Sequence, residues 1–289
     1  MLQVNSAETR QKRIVAIHDI SCVGKCSLTA ALPILSAAGI ETAVIPTAVL
    51  STHTGGFSGY TFRDLTDDIL PIADHWEKEG LDFDAVYTGY LGSYRQIDIV
   101  SQVVDRHRDR GALVLVDPAM ADNGVLYSTF DADFPKGMRA LCQKADVIVP
   151  NITEAVLMLE KNFQPGPYKQ EFIESLLNNL GEITRRYVVL TGVCFDEQQL
   201  GAATYDKKTG SISYTMTKRI QGMYHGTGDV FASALLAALL SGKAINCAAQ
   251  IAVEFAAESI RQTLKIKQAR YYGVNFEAAL PFLIDNVEQ

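Results

Sequence analysis

Short apolar runs rich in Val and Ile recur along the chain, and longer stretches with helical spacing separate them. Each run ends in a cluster of Gly, Pro, Asp, Asn or Thr, as strands do where they pass into turns. The pattern predicts strands over 14–19, 41–50, 85–91, 113–119, 147–151 and 188–193. Because these runs are almost continuously apolar rather than alternating, they suit a parallel sheet buried on both faces. The spacing predicts helices over 26–38, 62–79, 95–110, 133–144, 152–161 and 168–185, with Gly39, Gly80 and Gly111 as stops.

After Val193 the rhythm changes. The segments LGAATYD and SISYTMTKRI, joined through Lys207-Lys208-Thr209-Gly210, read as an antiparallel hairpin on the sheet edge. Two long apolar helices follow, over 227–241 and 244–264, and the stretch after Leu264 carries no readable motif. No repeat, low-complexity tract or linker divides the chain. The expectation is a single α/β domain over 1–289, with residues 1–13 disordered or at its periphery.

Composition narrows the partners. With 48% hydrophobic and 20% charged residues the chain can build an ordinary core. A formal net charge of −7 disfavours nucleic acid and anionic membrane surfaces alike. The polar start MLQVNSAETRQKR lacks the apolar centre of a secretory signal, so a cytoplasmic location is expected. Five scattered cysteines, an odd number, suit reduced thiols. The Cys22-x3-Cys26 pair has no second Cys or His pair nearby to complete a zinc site.

In a parallel α/β sheet the ligand site lies beyond the carboxyl ends of the strands. Here those ends carry His18-Asp19, Thr47, Gly89-Tyr90, Asp117-Pro118, Pro150-Asn151 and Thr191-Gly192. A sharper signal is Gly226-Thr227-Gly228-Asp229, immediately before a helix of small and apolar residues. Small residues let successive N–H groups converge, and the helix N-terminus adds about half a positive charge, so anions bind such turns. Asp229 beside a bound phosphate could take a proton from an attacking hydroxyl. The plainer reading is a tight turn with Thr227 or Asp229 as a helix cap.

Two other phosphate signatures are excluded by spacing. A Walker loop needs a glycine where Asp19 stands and a Ser or Thr where Cys26 follows Lys25, and no G-x-G-x-x-G follows the first strand. Five motifs are present in order: Ser51-Thr52-His53-Thr54-Gly55, Gly89-Tyr90-Leu91-Gly92-Ser93, Asp117-Pro118-Ala119-Met120, Pro150-Asn151-Ile152-Thr153-Glu154 and the Gly226–Asp229 turn. From Ile14 to about Leu264 the chain resembles the pyridoxal kinase branch of the ribokinase-like superfamily.

That resemblance implies a ribokinase-like three-layer α/β/α sandwich with a mostly parallel central sheet and an antiparallel edge hairpin. It implies phosphorylation of the 5′-hydroxymethyl group of a B6 vitamer by ATP, with Asp229 as base and Gly226, Thr227 and Gly228 as the anion hole. Asp117, Asn151, Glu154, Thr191 and Gly192 are expected on the nucleotide and its Mg²⁺, with Asp117 and Glu154 acting on the metal through water. His53, Thr54 and Tyr90 are expected on the B6 substrate, beneath a Gly-rich flap at 52–60. Asn151 and Glu154 read equally as a helix capping box. A monovalent cation such as K⁺ stays open, and relatives are commonly homodimers.

The first strand end departs from that branch. A serine, a Tyr-Gly step and an Asn-Ser pair are usual there, whereas this chain has Asp19, Val23-Gly24 and Leu28-Thr29. Asp19 could pair with a protonated ring nitrogen or amine of the substrate, favouring pyridoxamine, or cap the following helix. The sibling hydroxymethylpyrimidine kinases share the GTGD turn, but their Gly-Gly-Ala-Gly stretch is missing here. A catalytically silent vitamin-binding protein on the same fold is the reading from a different class.

Overall fold

A computed structural model describes residues 10–266 and 272–288. The N-terminal expectation therefore lies outside the described residues for 1–9. From residue 10 the chain is tied down, because Arg10 and Lys12 pair with Asp84 at 2.9 and 3.1 Å and Arg13 opens the first strand.

The elements run β1 (Arg13–Ser21), α1 (Leu28–Ala37), β2 (Glu41–Leu50), β3 (Phe62–Asp64), α2 (Thr66–Lys78), β4 (Ala85–Thr88), α3 (Tyr94–Arg108) and β5 (Leu113–Val116). There follow β6 (Ala121–Asp122), β7 (Val125–Leu126), α4 (Phe134–Cys142), β8 (Val147–Ile148), α5 (Ile152–Met158), α6 (Gln170–Gly181) and β9 (Tyr187–Val193). The last are β10 (Gln199–Asp206), β11 (Ser211–Lys218), α7 (Thr227–Leu240), α8 (Ile245–Leu264), a 3₁₀ turn (Phe276–Ala279) and α9 (Leu280–Glu288). Among the described residues one nine-stranded sheet has the order β11-β10-β9-β8-β5-β4-β1-β2-β3. Its pairs from β2 through β1, β4, β5 and β8 to β9 are parallel. Both edges are antiparallel, through β10 and β11 on one side and β3 on the other.

The continuous apolar runs are explained by two cores, one on each face of the sheet. Val15, Ile17, Val114, Val116, Val188 and Leu190 face α2 to α6. The residues between them, Ile14, Leu115 and Val189, face α1, α7, α8 and α9. The period of two along each strand thus sends apolar side chains to both layers. Helix α7 is apolar nearly all round, and its residues Val230 to Ala238 are all buried.

Several predicted boundaries shift. The runs at 85–91, 113–119 and 147–151 leave the sheet at Thr88, Val116 and Ile148. Their polar or proline-containing tips turn away to form the rim of the sheet, and Pro118 and Pro150 have no N–H for the ladder. The predicted helix 62–79 begins at Thr66, where Asp64 Oδ1 accepts from the Thr66 N–H at 2.7 Å. Its first residues instead form β3, which pairs with β2 from Ala48 to Leu50. The stretch after Leu264 packs Phe276, Ala279, Leu283 and Val287 into the second core. No helix among the described residues is long and apolar enough to cross a membrane.

Candidate active site at the carboxyl ends of the parallel strands

The Gly226–Asp229 turn enters α7 from the left-handed region, with Gly226 as N-cap at φ 76°. A Cβ at Gly226 would lie 1.9 Å from the Lys25 carbonyl oxygen, so only glycine lets the turn press on the loop before α1. A Cβ at Gly228 would meet nothing within 4 Å, which marks open space beside the turn. The first intrahelical bond reaches back from Val230 N–H to Gly226 O at 3.0 Å, and the N–H groups before it have no intrahelical acceptor. No side chain caps this end, and the Thr227 hydroxyl donates to Tyr224 O at 3.1 Å instead. Thr227 therefore does not cap the helix, while the Asp229 carboxylate stays close to its own N–H in the first turn.

Asp229 is half-buried. Burial pushes its carboxyl up to about 7, against the N–H groups of Ser27 and of Asp229 itself, while the nearby Asp19 adds to the rise. A carboxyl poised near neutrality and close to a helix N-terminus can accept a proton from a hydroxyl placed beside it.

Across the cleft, Asn151 and Glu154 do form the capping box of α5. Asn151 Oδ1 accepts from Glu154 N–H at 2.9 Å, and Glu154 Oε2 accepts from Asn151 N–H at 2.8 Å. Two further bonds fix the pair to the loop after β5: Met120 N–H donates to Glu154 Oε1 at 3.1 Å, and Asn151 Nδ2 donates to Ala121 O at 2.8 Å. Glu154 is only 3% exposed, and burial pushes its carboxyl up to about 8. Asp117 is raised well above the ordinary carboxylate range by burial and then by the charges of Glu154 and Asp229. Capping and cation binding are compatible here, because a carboxylate keeps spare lone pairs.

Acidic groups that push one another toward the neutral form are relieved by a nearby cation. Among the described residues no group of three or more His, Cys, Asp or Glu could cage a metal. The donor set fits Mg²⁺ that keeps most of its water and is completed by phosphate oxygens.

Thr191 bridges to Asn151 across the strand ends, and Gly192 adopts φ 78°. A cleft of about 480 Å³ joins Thr227, Gly228 and Asp229 to Asp117, Asn151, Glu154, Thr191 and Gly192. It continues into a wall from α8 and the edge hairpin, including Val253, Ala257, Ile260 and Leu200. Sequence reasoning did not assign this wall. Its only signal was helical spacing in α8, which reads as core.

Asp19, His53, Thr54 and Tyr90 do not line that cleft. His53 is buried, lies 5.3 Å ring to ring from His225 just before the turn, and would be struck by a Cβ at Gly24. Tyr90 is half-buried, with its hydroxyl 3.3 Å from Thr129 Oγ1. Thr54 is exposed. Asp19 is 4% exposed, and its two oxygens accept from Ser27 Oγ at 2.5 Å and Ser21 Oγ at 3.1 Å. A substrate cation would have to share those oxygens with two serines that sequence reasoning passed over. The 52–60 segment joins β2 to β3, closed at its base by Ser51 N–H to Thr61 O at 3.1 Å, and places Gly55 against His225.

Comparison with known proteins gives the family. Residues 27–274 match the model of the phosphomethylpyrimidine kinase family. A provisionally named phosphomethylpyrimidine kinase from Bacteroides thetaiotaomicron, crystallised with pyridoxal, superposes with TM-score 0.90 at 36% identity, over 95% of this chain and 96% of that one. Pyridoxal kinase from Lactobacillus plantarum gives 0.86 at 31% identity, over 96% and 98%. The hydroxymethylpyrimidine/phosphomethylpyrimidine kinase of Bacillus subtilis is 26% identical over 234 residues, 76% of this chain and 78% of the relative. With the fold, the turn and the acidic cleft in place, the chain belongs to the phosphomethylpyrimidine kinase family, in the part of the ribokinase-like superfamily that includes the pyridoxal kinases, and is a kinase that transfers phosphate to an alcohol.

Proposed function

We propose that the chain phosphorylates the 5′-hydroxymethyl group of a B6 vitamer with ATP, using Asp229 as general base. The observation that carries this reading is the Gly226–Asp229 turn, which joins open space for an anion at Gly228 to a carboxyl near neutrality. Asp229 accepts the hydroxyl proton as the oxygen forms its bond to the γ-phosphorus. The bond from that phosphorus to the β-bridging oxygen breaks, and ADP leaves. The N–H groups of the turn from Gly226 to Gly228 hold the developing charge. Asp117, together with Glu154 as oriented by Asn151, would hold Mg²⁺ through its water. When bound, that ion neutralises phosphate oxygens.

Thr191 and Gly192 flank the phosphates, and the apolar wall of α8 takes the adenine. His53, whose ring lies 5.3 Å from that of His225 just before the turn, contacts the ring of the acceptor together with Thr54 and Tyr90, with the 52–60 segment as its cover. The Lactobacillus plantarum relative and the pyridoxal-bound Bacteroides thetaiotaomicron protein support a pyridine substrate.

A pyrimidine acceptor is the second reading, favoured by the family model and the Bacillus subtilis relative. Steady-state ADP release with pyridoxal, pyridoxamine, pyridoxine and hydroxymethylpyrimidine separates the two. A kcat/KM at least about tenfold higher for a B6 vitamer is expected, because a site built for a substrate's polar groups discriminates strongly against analogues lacking them. Preference for the pyrimidine would overturn the B6 assignment and leave the mechanism standing.

A further inference from the structure

Ser27 immediately precedes α1 with φ 50° and ψ −134°. This pair of angles lies outside the regions open to residues with side chains, and such outliers persist only where their surroundings hold them. Ser27 is 7% exposed, and it links two carboxylates from distant elements. Its hydroxyl donates to Asp19 Oδ1 at 2.5 Å, at the end of β1. The loop that it ends packs on the start of α7, where a Cβ at Gly226 would lie 1.9 Å from Lys25 O, so the Ser27 backbone N–H faces the Asp229 carboxylate and favours its charged form. The same short segment is braced on both sides, by Lys25 N–H to Tyr272 O at 3.2 Å and by Thr29 Oγ1 to Gly24 O at 2.8 Å. Ser21 holds the other oxygen of Asp19, so that carboxylate is itself anchored.

We propose that Ser27 is a positioning residue: its hydroxyl tie to Asp19 holds the backbone in an otherwise disfavoured conformation, and the N–H so aimed orients Asp229 toward the acceptor hydroxyl. The inference rests on Asp229 being the base. It also gives Asp19 a task other than contact with the substrate, as the anchor of Ser27. The titratable groups around this pair are Cys26 in the same loop, Tyr87 on β4, Tyr90 after it, Asp117 after β5 and Tyr127 after β7.

Substitution at both ends of the tie tests it. Ser27→Ala keeps the side-chain penalty on the backbone and loses the tie, so kcat should fall about 10- to 100-fold with KM changed less than about twofold, the scale expected of a misplaced catalytic group. Ser27→Gly loses the tie but adopts the same angles freely, so it should recover most of that loss. It also covers the case in which the alanine variant does not fold. Asp19→Ala should match Ser27→Ala, and the double variant should be no worse than either single one. The acid limb of kcat/KM should move in Ser27→Ala, a change that a merely structural residue would not produce. Wild-type kcat and an unmoved limb in Ser27→Ala, equal losses in alanine and glycine variants, or additive losses with Asp19→Ala would each overturn the proposal. Asp229→Asn separates the levels: if it turns over normally the base assignment fails, whereas an inactive Asp229→Asn beside a normal Ser27→Ala removes only the positioning role.

Discussion

Asp229→Asn should lower kcat by about 10²–10⁴, equivalent to about 3–5 kcal/mol of barrier, while the dissociation constants for nucleotide and acceptor stay within about twofold. The asparagine keeps the size of the side chain and an oxygen that can still accept the Ser27 N–H, so the turn should remain formed. What disappears is a group able to take the proton. With Asp229 as the proposed base, the same residue should set the pH profile. Burial holds its carboxyl near 7, so below that value the proposed base should be mostly protonated and turnover should fall. The expected result is a kcat/KM that rises with pH and levels off above about 7, and a residual activity in Asp229→Asn without that limb. Steady-state kinetics with isothermal titration of the nucleotide check both points. Near-wild-type turnover would remove Asp229 from the chemistry.

Gly226→Ala carries the second large effect. At φ 76° a side chain costs about 1–2 kcal/mol on its own. The added carbon would also sit 1.9 Å from a backbone oxygen of Lys25, and that backbone has no soft side chain to yield. The turn and the loop before α1 must separate, which moves the anion-holding N–H groups and the Ser27 N–H together. A loss of at least about 10² in kcat is expected, the scale of removing one oxyanion donor, with a lowered Tm. Gly228→Ala is the informative contrast. Its Cβ would meet no neighbour, so Tm should hold while the nucleotide KM rises as the methyl group narrows the cleft. Equal Tm losses at the two positions would contradict this picture of the turn.

How much of this could be read from the chain depends on how local each feature is. The parallel strands stood out because both faces are buried, so apolar residues run without interruption from Ile14 to Ile17 and from Val114 to Val116. Their ends were overrun because Pro118 and Pro150 still look like strand residues until the partner strand turns away. Strand β3 was invisible: Phe62, Arg63 and Asp64 are all exposed and only pairing with β2 makes them a strand. The helix α9 and its 3₁₀ turn are short, and what holds them is packing on α8 rather than any motif.

The same distinction runs through the site. Gly226 to Asp229 and Asn151 to Glu154 are contiguous, so residue type and spacing announce them. Ser27 is not contiguous with either Asp19 or Asp229, and its significance lies in a backbone angle, a hydrogen bond to Asp19 and the packing of its loop on the turn, none of which spacing records. Asp19 reads from the sequence as a substrate contact, and the two serines that hold it became neighbours only in the fold.

The most direct measurement is ³¹P NMR of the purified protein with ATP, Mg²⁺ and pyridoxal, followed to completion. One phosphomonoester at the 5′ position should appear for each ADP formed, and the signal should be lost in Asp229→Asn. Release of inorganic phosphate without a phosphorylated vitamer, or no turnover while nucleotide binds, would contradict the assignment of this cleft to vitamin B6 phosphorylation.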